Sequence, residues 1–353
     1  MAAGLLWWFG RKLDWVEVGR ALSQSDWRLL TLATLIICFA YLLRALRWGA
    51  LLAPLGPARL NDLFVATTAG FGAVFLVGRA GELVRPVVLP LRDKRVRPSA
   101  AFVTILVERI FDMTAVVVFF AISLLWFEPT GVLRSEFTRV WVAGLLLLLG
   151  SALVLALLMW FRRRSSGVLA WLRRRLGSPS LVPDRLKKLF LRLVEQLAQA
   201  LRVLVDAREL AFVSAWTVLV WAGITVANLL VFRAFGLPFG LPETVFVLGW
   251  SLVGSLVPTP GGAAGAFHAA TATGLILLGV QRNTAAAVSI VLHLVDFGPA
   301  VIFGFYYLLR GEINLSQLRS TAFGDRVAPP DEGADPQEVT RQERQLHEVP
   351  ATE

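Results

Sequence analysis

Long apolar runs separated by short charged stretches dominate the pattern of hydrophobic and polar positions along the chain. A helix needs about 20 apolar residues to cross a bilayer, or somewhat fewer where flanking arginine and tryptophan side chains reach the headgroups. Five runs approach this length. Charged residues flank these runs and are absent from within them, except for Asp296 in the last run. We predict membrane-spanning helices at residues 29–43, 113–127, 140–161, 210–232 and 283–309.

Two further apolar stretches, residues 63–78 and 244–281, do not fit simple spans. The first is short, rich in glycine and followed by a charged sequence, and the second is interrupted by Pro258-Thr-Pro-Gly-Gly262. Proline removes a backbone donor and blocks a helix, and broken backbone at membrane depth persists only inside protein or beside a water-filled cavity. We predict a helical hairpin, re-entrant or spanning, at each stretch. The alternative is two short helices joined by an ordinary turn.

The two halves of the chain share an order of elements: a span, an interrupted hairpin and a span with polar residues inside it. Residues 75–81 align with 255–261, and Arg109-Ile-Phe-Asp112 aligns with His293-Leu-Val-Asp296. In secondary transporters, interrupted helices of inverted repeats meet near the midplane and form the substrate site. We therefore predict an all-α polytopic membrane helical bundle with two inverted repeats, each containing a broken or re-entrant helical hairpin.

Composition supports a membrane protein and excludes other classes. Of the 353 residues, 56% are hydrophobic and 17% charged, against about 45–50% and about 25% in soluble domains. The net charge of +10 resembles that of nucleic-acid-binding proteins, but the arginines fall in blocks between apolar runs, as in cytoplasmic loops beside anionic headgroups. The single cysteine, Cys38, allows no disulfide and no cysteine-based metal site. We expect membrane lipids as partners, and no nucleic acid, metal or cofactor.

Basic residues indicate the sides of the membrane, because they concentrate in cytoplasmic loops. Segment 162–208 has twelve basic and three acidic residues and segment 79–97 has six and two, so both are predicted to be cytoplasmic. The C-terminus is then cytoplasmic and the N-terminus external. We divide the chain into an N-terminal interfacial segment (1–27), a transmembrane domain (28–310) and a disordered cytoplasmic tail (320–353). Apolar positions at helical spacing predict amphipathic helices at the headgroups within 162–208: Leu186, Leu189, Phe190, Leu193 and Leu197.

Glu108, Arg109 and Asp112 crowd one side of a predicted helix. Charged groups at membrane depth are unfavourable, and they normally face the bundle interior, pair with one another or contact a polar substrate. The alternative to a substrate site is a structural ion pair that locks helices. At the matching place in the second half, His293 and Asp296 are also three residues apart. His293 either titrates or is a lone core histidine satisfied by its neighbours.

Arginines after the first interrupted helix suggest an anion site. Arg79 and Arg85 can form a phosphate clamp, because a guanidinium binds anionic oxygens with two donors. The alternative is that Glu82 merely neutralises one of them at the cytoplasmic rim. The second interruption is expected to supply a hinge and free backbone groups.

A separate arginine pair, Arg44 and Arg47, lies beside Trp48 and is interpreted first as an interfacial anchor. The predicted substrate-binding residues are Arg47, Arg79, Glu82, Arg85, Glu108, Arg109, Asp112, Thr259, Gly261, Gly262, His293 and Asp296.

Enzyme signatures are absent from the sequence. There is no Walker A loop, Gly-x-Ser-x-Gly elbow, His-x-x-x-His pair or Asp-x-Asp motif, and Gly70-Phe-Gly72 lacks the third glycine of a dinucleotide fold. We predict that the protein is not an enzyme.

Four motifs occur in order along the chain: Arg44-Ala-Leu-Arg-Trp48, Gly78-Arg-Ala-Gly-Glu-Leu-Val-Arg-Pro86, Val107-Glu-Arg-Ile-Phe-Asp112 and Pro258-Thr-Pro-Gly-Gly262. Together they resemble the lysylphosphatidylglycerol synthase transmembrane (flippase-like, UPF0104) family over residues 13–312. The resemblance implies a bacterial or archaeal cytoplasmic-membrane protein. In the best-known members this region moves an aminoacylated phospholipid between leaflets and is fused to a cytoplasmic synthase. Because this chain ends soon after the last predicted span, we expect no synthase and no lysyl transfer.

The sequence departs from that family at two places. Members usually begin with an additional span, of which residues 4–9 would be the remnant, and they usually carry arginine where this chain has His293. We predict a flippase or translocase for a phospholipid or lipid-linked substrate with an anionic or zwitterionic headgroup. Two alternatives stay open: a membrane-embedded transferase acting on a polyprenyl-phosphate carrier, and an accessory scaffold that partners an envelope-biosynthesis enzyme.

Overall fold

The computed structural model describes residues 14–125, 133–176, 184–201, 206–256 and 264–312. The chain divides into two units, Met1–Ile313 and Asn314–Glu353, and the second, with the predicted tail at 320–353, lies outside the described residues. In the described ranges every regular element is a helix. The α-helices are α1 (Trp15–Ser23), α2 (Trp27–Leu52), α3 (Leu60–Val77), α4 (Arg85–Arg92), α5 (Pro98–Leu125), α6 (Leu133–Arg163), α7 (Ser165–Leu176), α8 (Asp184–Ala200), α9 (Ala207–Ala234), α10 (Leu241–Leu256), α11 (Ala264–Leu277) and α12 (Arg282–Leu309).

Four helices are long and apolar enough to cross a membrane by length and composition: α2, α9, α12 and the Gly144–Arg163 part of α6. Four of the five predicted spans lie in these helices. The fifth, at 113–127, lies in α5 as far as Leu125, and α5 also carries charged residues in its middle. The prediction of an all-helical, multi-pass membrane bundle is confirmed, while the orientation of the termini stays a prediction.

Aspartate side chains determine where three helices begin. Asp14, Asp26 and Asp206 each accept a hydrogen bond of 2.9 Å from a backbone N–H in the first turn of α1, α2 and α9. They satisfy donors that have no partner within the helix. The short helix α1 then packs on α12, where Val18 joins a buried cluster with Ala286.

The apolar core lies between α2 and α9, with α12 packed beside them. Ala33 of α2 and Ala227 of α9 are fully buried, and small residues let helix backbones approach closely in a membrane. Helix α3 packs on α12 in the same way: a Cβ at Gly72 would lie 3.0 Å from the Ala300 carbonyl oxygen. These contacts hold α2, α3, α9 and α12 together around the cavities that are described below.

The first interrupted hairpin consists of α3, a 3-10 helix (Gly78–Val84) and α4. Gly78 has a φ of 73°, a left-handed conformation that favours glycine. A Cβ on Gly81 would lie 2.2 Å from the backbone nitrogen of Val74, so the turn can fold back onto the end of α3 only where the side chain is a hydrogen atom. The interruption thus follows the apolar run instead of dividing it.

The second interrupted hairpin consists of α10 and α11, which pack against each other. A Cβ at Gly254 would lie 2.7 Å from the Ala270 Cβ, and one at Gly274 would lie 3.0 Å from the Trp250 ring, so both glycines mark close contacts. The predicted break, Pro258–Gly262, lies outside the described residues. Helices therefore flank both predicted interruptions, and the inverted relation between the halves stays a prediction.

Helices α7 and α8 occupy the basic segment that was predicted to be cytoplasmic. On α8, Leu193 and Leu197 pack against a buried cluster contributed by α2, α5 and α9. Leu186, Leu189 and Phe190 are about half exposed. Two of the five predicted apolar positions therefore pack against the bundle, and three face away from it. That these three lie at the lipid headgroups stays a prediction.

Candidate functional site

A cluster of charged side chains lies buried where α2, α4 and α5 meet, with Glu108 of α5 at its centre. Arg85 of α4 donates two parallel hydrogen bonds to the Glu108 carboxylate, from Nη1 to Oε1 and from Nη2 to Oε2, both 2.9 Å long. Arg47 Nη2 of α2 lies 3.2 Å from Oε1, and Arg109 Nη2 donates to the same oxygen at 2.7 Å. One fully buried carboxylate is therefore shared by three guanidinium groups.

Asp112, one turn further along α5, is the second acceptor of this cluster. Its Oδ1 accepts hydrogen bonds from Arg47 Nη1 at 2.6 Å and from the Trp221 indole Nε1 of α9 at 3.1 Å. Its Oδ2 lies 2.9 Å from Arg109 Nη2. Buried charges persist when they are paired and hydrogen-bonded, and these contacts also tie α9 to α5. We call Arg47, Arg85, Glu108, Arg109 and Asp112 the buried charge network.

Arg85 and Arg47 fit into the core because their neighbours leave room for them or pack against them. The Arg85 guanidinium lies over the Trp48 ring, 4.3 Å from its centre, which adds a cation–π contact. A Cβ at Gly70 would lie 2.2 Å from Arg85 Cγ, so glycine leaves the space that the arginine fills. Arg47 and Trp48 are both 0% exposed. The interpretation of Arg44, Arg47 and Trp48 as an interfacial anchor is therefore wrong, because Arg47 forms buried ion pairs with Glu108 and Asp112 of α5.

Two adjoining cavities of about 80 and 90 Å³ lie beside the buried charge network. Their common walls include Arg44, Phe71, Trp221, Ser255, Phe267 and Phe297. We call the first the Asp296 cavity and the second the Arg109 cavity, after the charged residue that distinguishes each. Both therefore combine aromatic walls with a few charged groups, which is the usual character of a small-molecule site.

Polar groups in the Asp296 cavity come from three helices. Tyr41 of α2 donates from its hydroxyl to the backbone carbonyl oxygen of Asp296 at 2.7 Å. Ser251 and Ser255 of α10 line the opposite part of the wall, and the Ser251 hydroxyl is hydrogen-bonded to Thr271 of α11 at 2.9 Å. The polar part of the cavity wall thus consists of hydroxyls, one carboxylate and the Arg44 guanidinium.

The Arg109 cavity carries Glu82 of the 3-10 helix and His293 of α12 beside Arg109 itself. Arg109 Nε lies 3.8 Å from Glu82 Oε2, and both side chains are about one-fifth exposed. That Nε makes no hydrogen bond within the described part of the chain. Arg109 thus joins the buried charge network on one side and the cavity on the other.

Arg44 lines both cavities and differs from the other arginines of the site in its partners. Its guanidinium lies over the Phe71 ring, 4.6 Å from the centre. Among the described residues it forms no salt bridge, whereas Arg47, Arg85 and Arg109 all do. A guanidinium that is held by an aromatic ring, with no carboxylate within salt-bridge distance among the described residues, has donors that can bind an anionic oxygen.

His293 is buried in the wall of the Arg109 cavity and is not a lone histidine. Its Nδ1 lies 3.1 Å from His268 Nε2 of α11, within hydrogen-bond distance. The His293 ring stacks on Phe267 with 4.7 Å between ring centres and contacts Phe75 and Phe297. In the described ranges no group of three or more His, Cys, Asp or Glu side chains is placed to hold a metal ion.

The structure separates the predicted site residues into three groups. Glu82, Arg109, His293 and Asp296 line the cavities. Arg47, Arg85, Glu108 and Asp112 form the enclosed part of the network behind Arg109 and are fully or almost fully buried. Outside the described residues lie Thr259, Gly261, Gly262 and the side chain of Arg79.

Sequence reasoning missed several residues of the cavity walls. Arg44 precedes Arg47 by three positions, so both lie on the same side of α2, and that spacing is the signal that should have linked Arg44 to the site. Tyr41, Trp221 and His268 carry no comparable signal, because each reaches the site only through packing of helices that are distant in sequence.

Comparison with known families identifies the chain. The model of the family described as "Lysylphosphatidylglycerol synthase TM region" matches residues 1–304. The chain belongs to this family. A UPF0104 membrane protein of Pyrococcus horikoshii is 23% identical over 327 residues, which cover 87% of this chain and 92% of that protein. No solved structure matches the chain.

Proposed function

We propose that this protein is a lipid flippase, that its substrate has an anionic or zwitterionic headgroup, and that Arg44 and Arg109 bind the anionic group. The observation that carries the proposal is Arg44, which lines both cavities in a membrane-spanning helix and has no salt-bridge partner among the described residues. A charge at membrane depth is more favourable when it makes a direct, hydrogen-bonded ion pair, which Arg44 lacks within the described part of the chain. A lipid phosphate supplies that partner, because it accepts two parallel hydrogen bonds from one guanidinium.

The charge balance of the buried charge network supports Arg109 as the second binding group. Three arginines, Arg47, Arg85 and Arg109, share the two carboxylates of Glu108 and Asp112. Arg47 and Arg85 are enclosed, so the surplus positive charge reaches the cavity at Arg109. Either Glu82 or a substrate phosphate can balance this charge.

The enclosed arginines have a positioning role in this proposal. Arg85 and Arg47 hold Glu108 and Asp112, and those carboxylates hold the Arg109 Nη2 atom at 2.7 and 2.9 Å. Groups that are fixed in this way bind a ligand without first paying to reorganise. The network therefore presents Arg109 to the cavity in one defined place.

The cavities must widen for a headgroup to occupy them. The two cavities measure about 80 and 90 Å³, whereas sites that enclose a ligand usually measure about 300–1,000 Å³. Helix α12 contributes to both walls and contains Pro299, which lacks a backbone donor and so weakens the helix at that turn. We infer that a shift of α12 against α3 and α11 opens the cavities.

A leaflet-exchange assay tests the proposal. The purified chain is reconstituted into vesicles that contain acyl-labelled lipids with a panel of headgroups, and the exchange rate is measured by quenching from outside. We expect exchange of anionic and zwitterionic lipids. Loss of a hydrogen bond to a charged group is worth about 1.5–3 kcal/mol, or roughly 10- to 150-fold. Arg44→Gln and Arg109→Gln should each slow exchange by this factor.

The matched control is Arg28→Gln, which removes an exposed arginine at the start of the same helix as Arg44. It should exchange lipids at the wild-type rate. Wild-type vesicles that exchange no faster than empty ones would contradict a flippase function. Exchange by Arg44→Gln at the wild-type rate would instead exclude Arg44 as the binding group.

A further inference from the structure

The Asp296 cavity contains one cation and one carboxylate on different helices that do not form a salt bridge. Arg44 comes from α2 and Asp296 from α12, and both line the cavity. Within the described part of the chain no Lys, Arg or His nitrogen lies within 4.0 Å of the Asp296 carboxylate. The two charges therefore face one space without neutralising each other directly.

The groups that lie closest to Asp296 within hydrogen-bond distance are uncharged. With its amide turned to donate, Asn228 Nδ2 of α9 lies 3.2 Å from Asp296 Oδ1. Tyr41 donates to the Asp296 backbone carbonyl, which follows directly on the Val295 carbonyl that Pro299 leaves without its helical N–H donor. The other titratable or charged groups that line the cavities are Tyr41 and Arg44 of α2, Glu82 of the 3-10 helix, Arg109 of α5 and His293 of α12. His268 of α11 contacts His293, with its Nε2 3.1 Å from His293 Nδ1.

Asp296 differs in this respect from the carboxylates of the buried charge network. Glu108 is in contact with three guanidinium groups and Asp112 with two, so a proton on either would break ion pairs. A proton on Asp296 breaks no ion pair among the described residues. Of the three carboxylates Glu108, Asp112 and Asp296, Asp296 can therefore change its charge with the least disturbance of the fold.

We propose that Asp296 is a proton-binding site, and that one proton binds there for each anionic headgroup that binds at Arg44. This inference rests on the proposed function, since it takes the anion at Arg44 as given. The empty cavity is balanced when Asp296 is ionised opposite Arg44. The loaded cavity is balanced when the anion neutralises Arg44 and a proton neutralises Asp296. The proton comes from the aqueous phase on the side where the headgroup enters, and it returns to the aqueous phase on the side where the headgroup leaves.

Electrostatics in a poorly solvated cavity provides the coupling. If the anion binds while Asp296 is ionised, two negative charges share one small space, and their repulsion is weakly screened. By linkage, the proton then raises the affinity for the anion by the same factor as the anion raises the affinity for the proton. Couplings between two sites are typically about 5- to 150-fold. A proton gradient would thus drive the headgroup in the direction of proton flow.

Calorimetry on the full chain in detergent tests this coupling. The probe is a water-soluble, short-chain phosphatidylglycerol, whose phosphodiester keeps a single charge as the pH changes. Repeating the titration in buffers of different ionisation enthalpy counts the protons that are taken up on binding. For the wild type we expect uptake approaching one proton and an affinity that falls as the pH rises. Asp296→Asn should bind the probe with no linked proton and with an affinity that is independent of pH.

Two controls separate Asp296 from other groups. Glu195→Gln removes a carboxylate on α8 that pairs with Arg173 far from the cavities, and it should behave as the wild type. His293→Gln should retain proton uptake, because the proposal assigns the proton to Asp296. Proton uptake that persists in Asp296→Asn and disappears in His293→Gln would overturn the proposal.

The outcomes also distinguish this inference from the proposed function. If the wild type binds the probe without proton uptake, the coupling is wrong and the anion site stands; this measurement needs no variant that must fold. If the wild type does not bind the probe at any pH, or if Arg44→Gln binds it equally well, the anion site at Arg44 fails and the coupling fails with it.

Discussion

Glu108→Gln should strongly destabilise the protein, because it leaves three arginines around one remaining carboxylate. In the wild type, Glu108 accepts both Arg85 nitrogens at 2.9 Å and also contacts Arg47 and Arg109, all in a fully buried position. Removing one partner of a buried ion pair costs about 3–5 kcal/mol, since an uncompensated charge stays behind. We expect a loss of this size in the free energy of unfolding.

The double variant Arg85→Gln with Glu108→Gln tests the reasoning. It leaves Arg47 and Arg109 with Asp112, so two arginines face one carboxylate and the surplus of one positive charge is the same as in the wild type, where three face two. Because no additional charge is orphaned, the double variant should be more stable than Glu108→Gln alone, since the cost of breaking a buried ion pair comes mainly from the partner that is left uncompensated.

Equilibrium unfolding of the purified variants in mixed micelles measures these differences, and a double-mutant cycle isolates the coupling energy. The control is the exposed pair Arg173–Glu195, whose side chains are 63% and 36% accessible. Removing either member should change the free energy of unfolding by about 0–1 kcal/mol. The reasoning would be refuted if Glu108→Gln cost no more than this control, or if the double variant were as unstable as Glu108→Gln.

Two further predictions concern the first hairpin and the topology. Gly81→Ala places a Cβ 2.2 Å from the Val74 backbone nitrogen and should destabilise the hairpin by about 1–3 kcal/mol. Gly150→Ala, inside α6 with open space around it, should not destabilise the protein in the same unfolding assay, because alanine is the better helix former. In intact cells, with the native cysteine removed, a cysteine at position 173 should be shielded from impermeant thiol reagents and one at position 135 should label, because basic segments stay in the cytoplasm. The reverse labelling would invert the predicted orientation.

The sequence alone determined which helices are long and apolar enough to cross a membrane. The spans of α2, α6, α9 and α12 follow from the length of apolar runs, which is a local property that no tertiary contact alters. The interruptions were also predicted from local sequence, since proline and glycine weaken a helix, although Pro299 lies inside α12 and does not end it. Even the family could be inferred from short motifs, and the family match over residues 1–304 confirms it.

Only the tertiary structure decided which of the charged residues are paired. Arg44 and Arg47 lie on one side of α2, yet Arg47 meets two carboxylates of α5 while Arg44 meets the Phe71 ring and the cavities. The sequence therefore predicted a binding role for the enclosed Arg47 and took Arg44 for part of an anchor. His268 and His293 are likewise in contact only because α11 packs against α12, which the sequence does not reveal. Hydropathy reports how far a segment prefers lipid to water, but the partner of a buried charge depends on which helix packs against it.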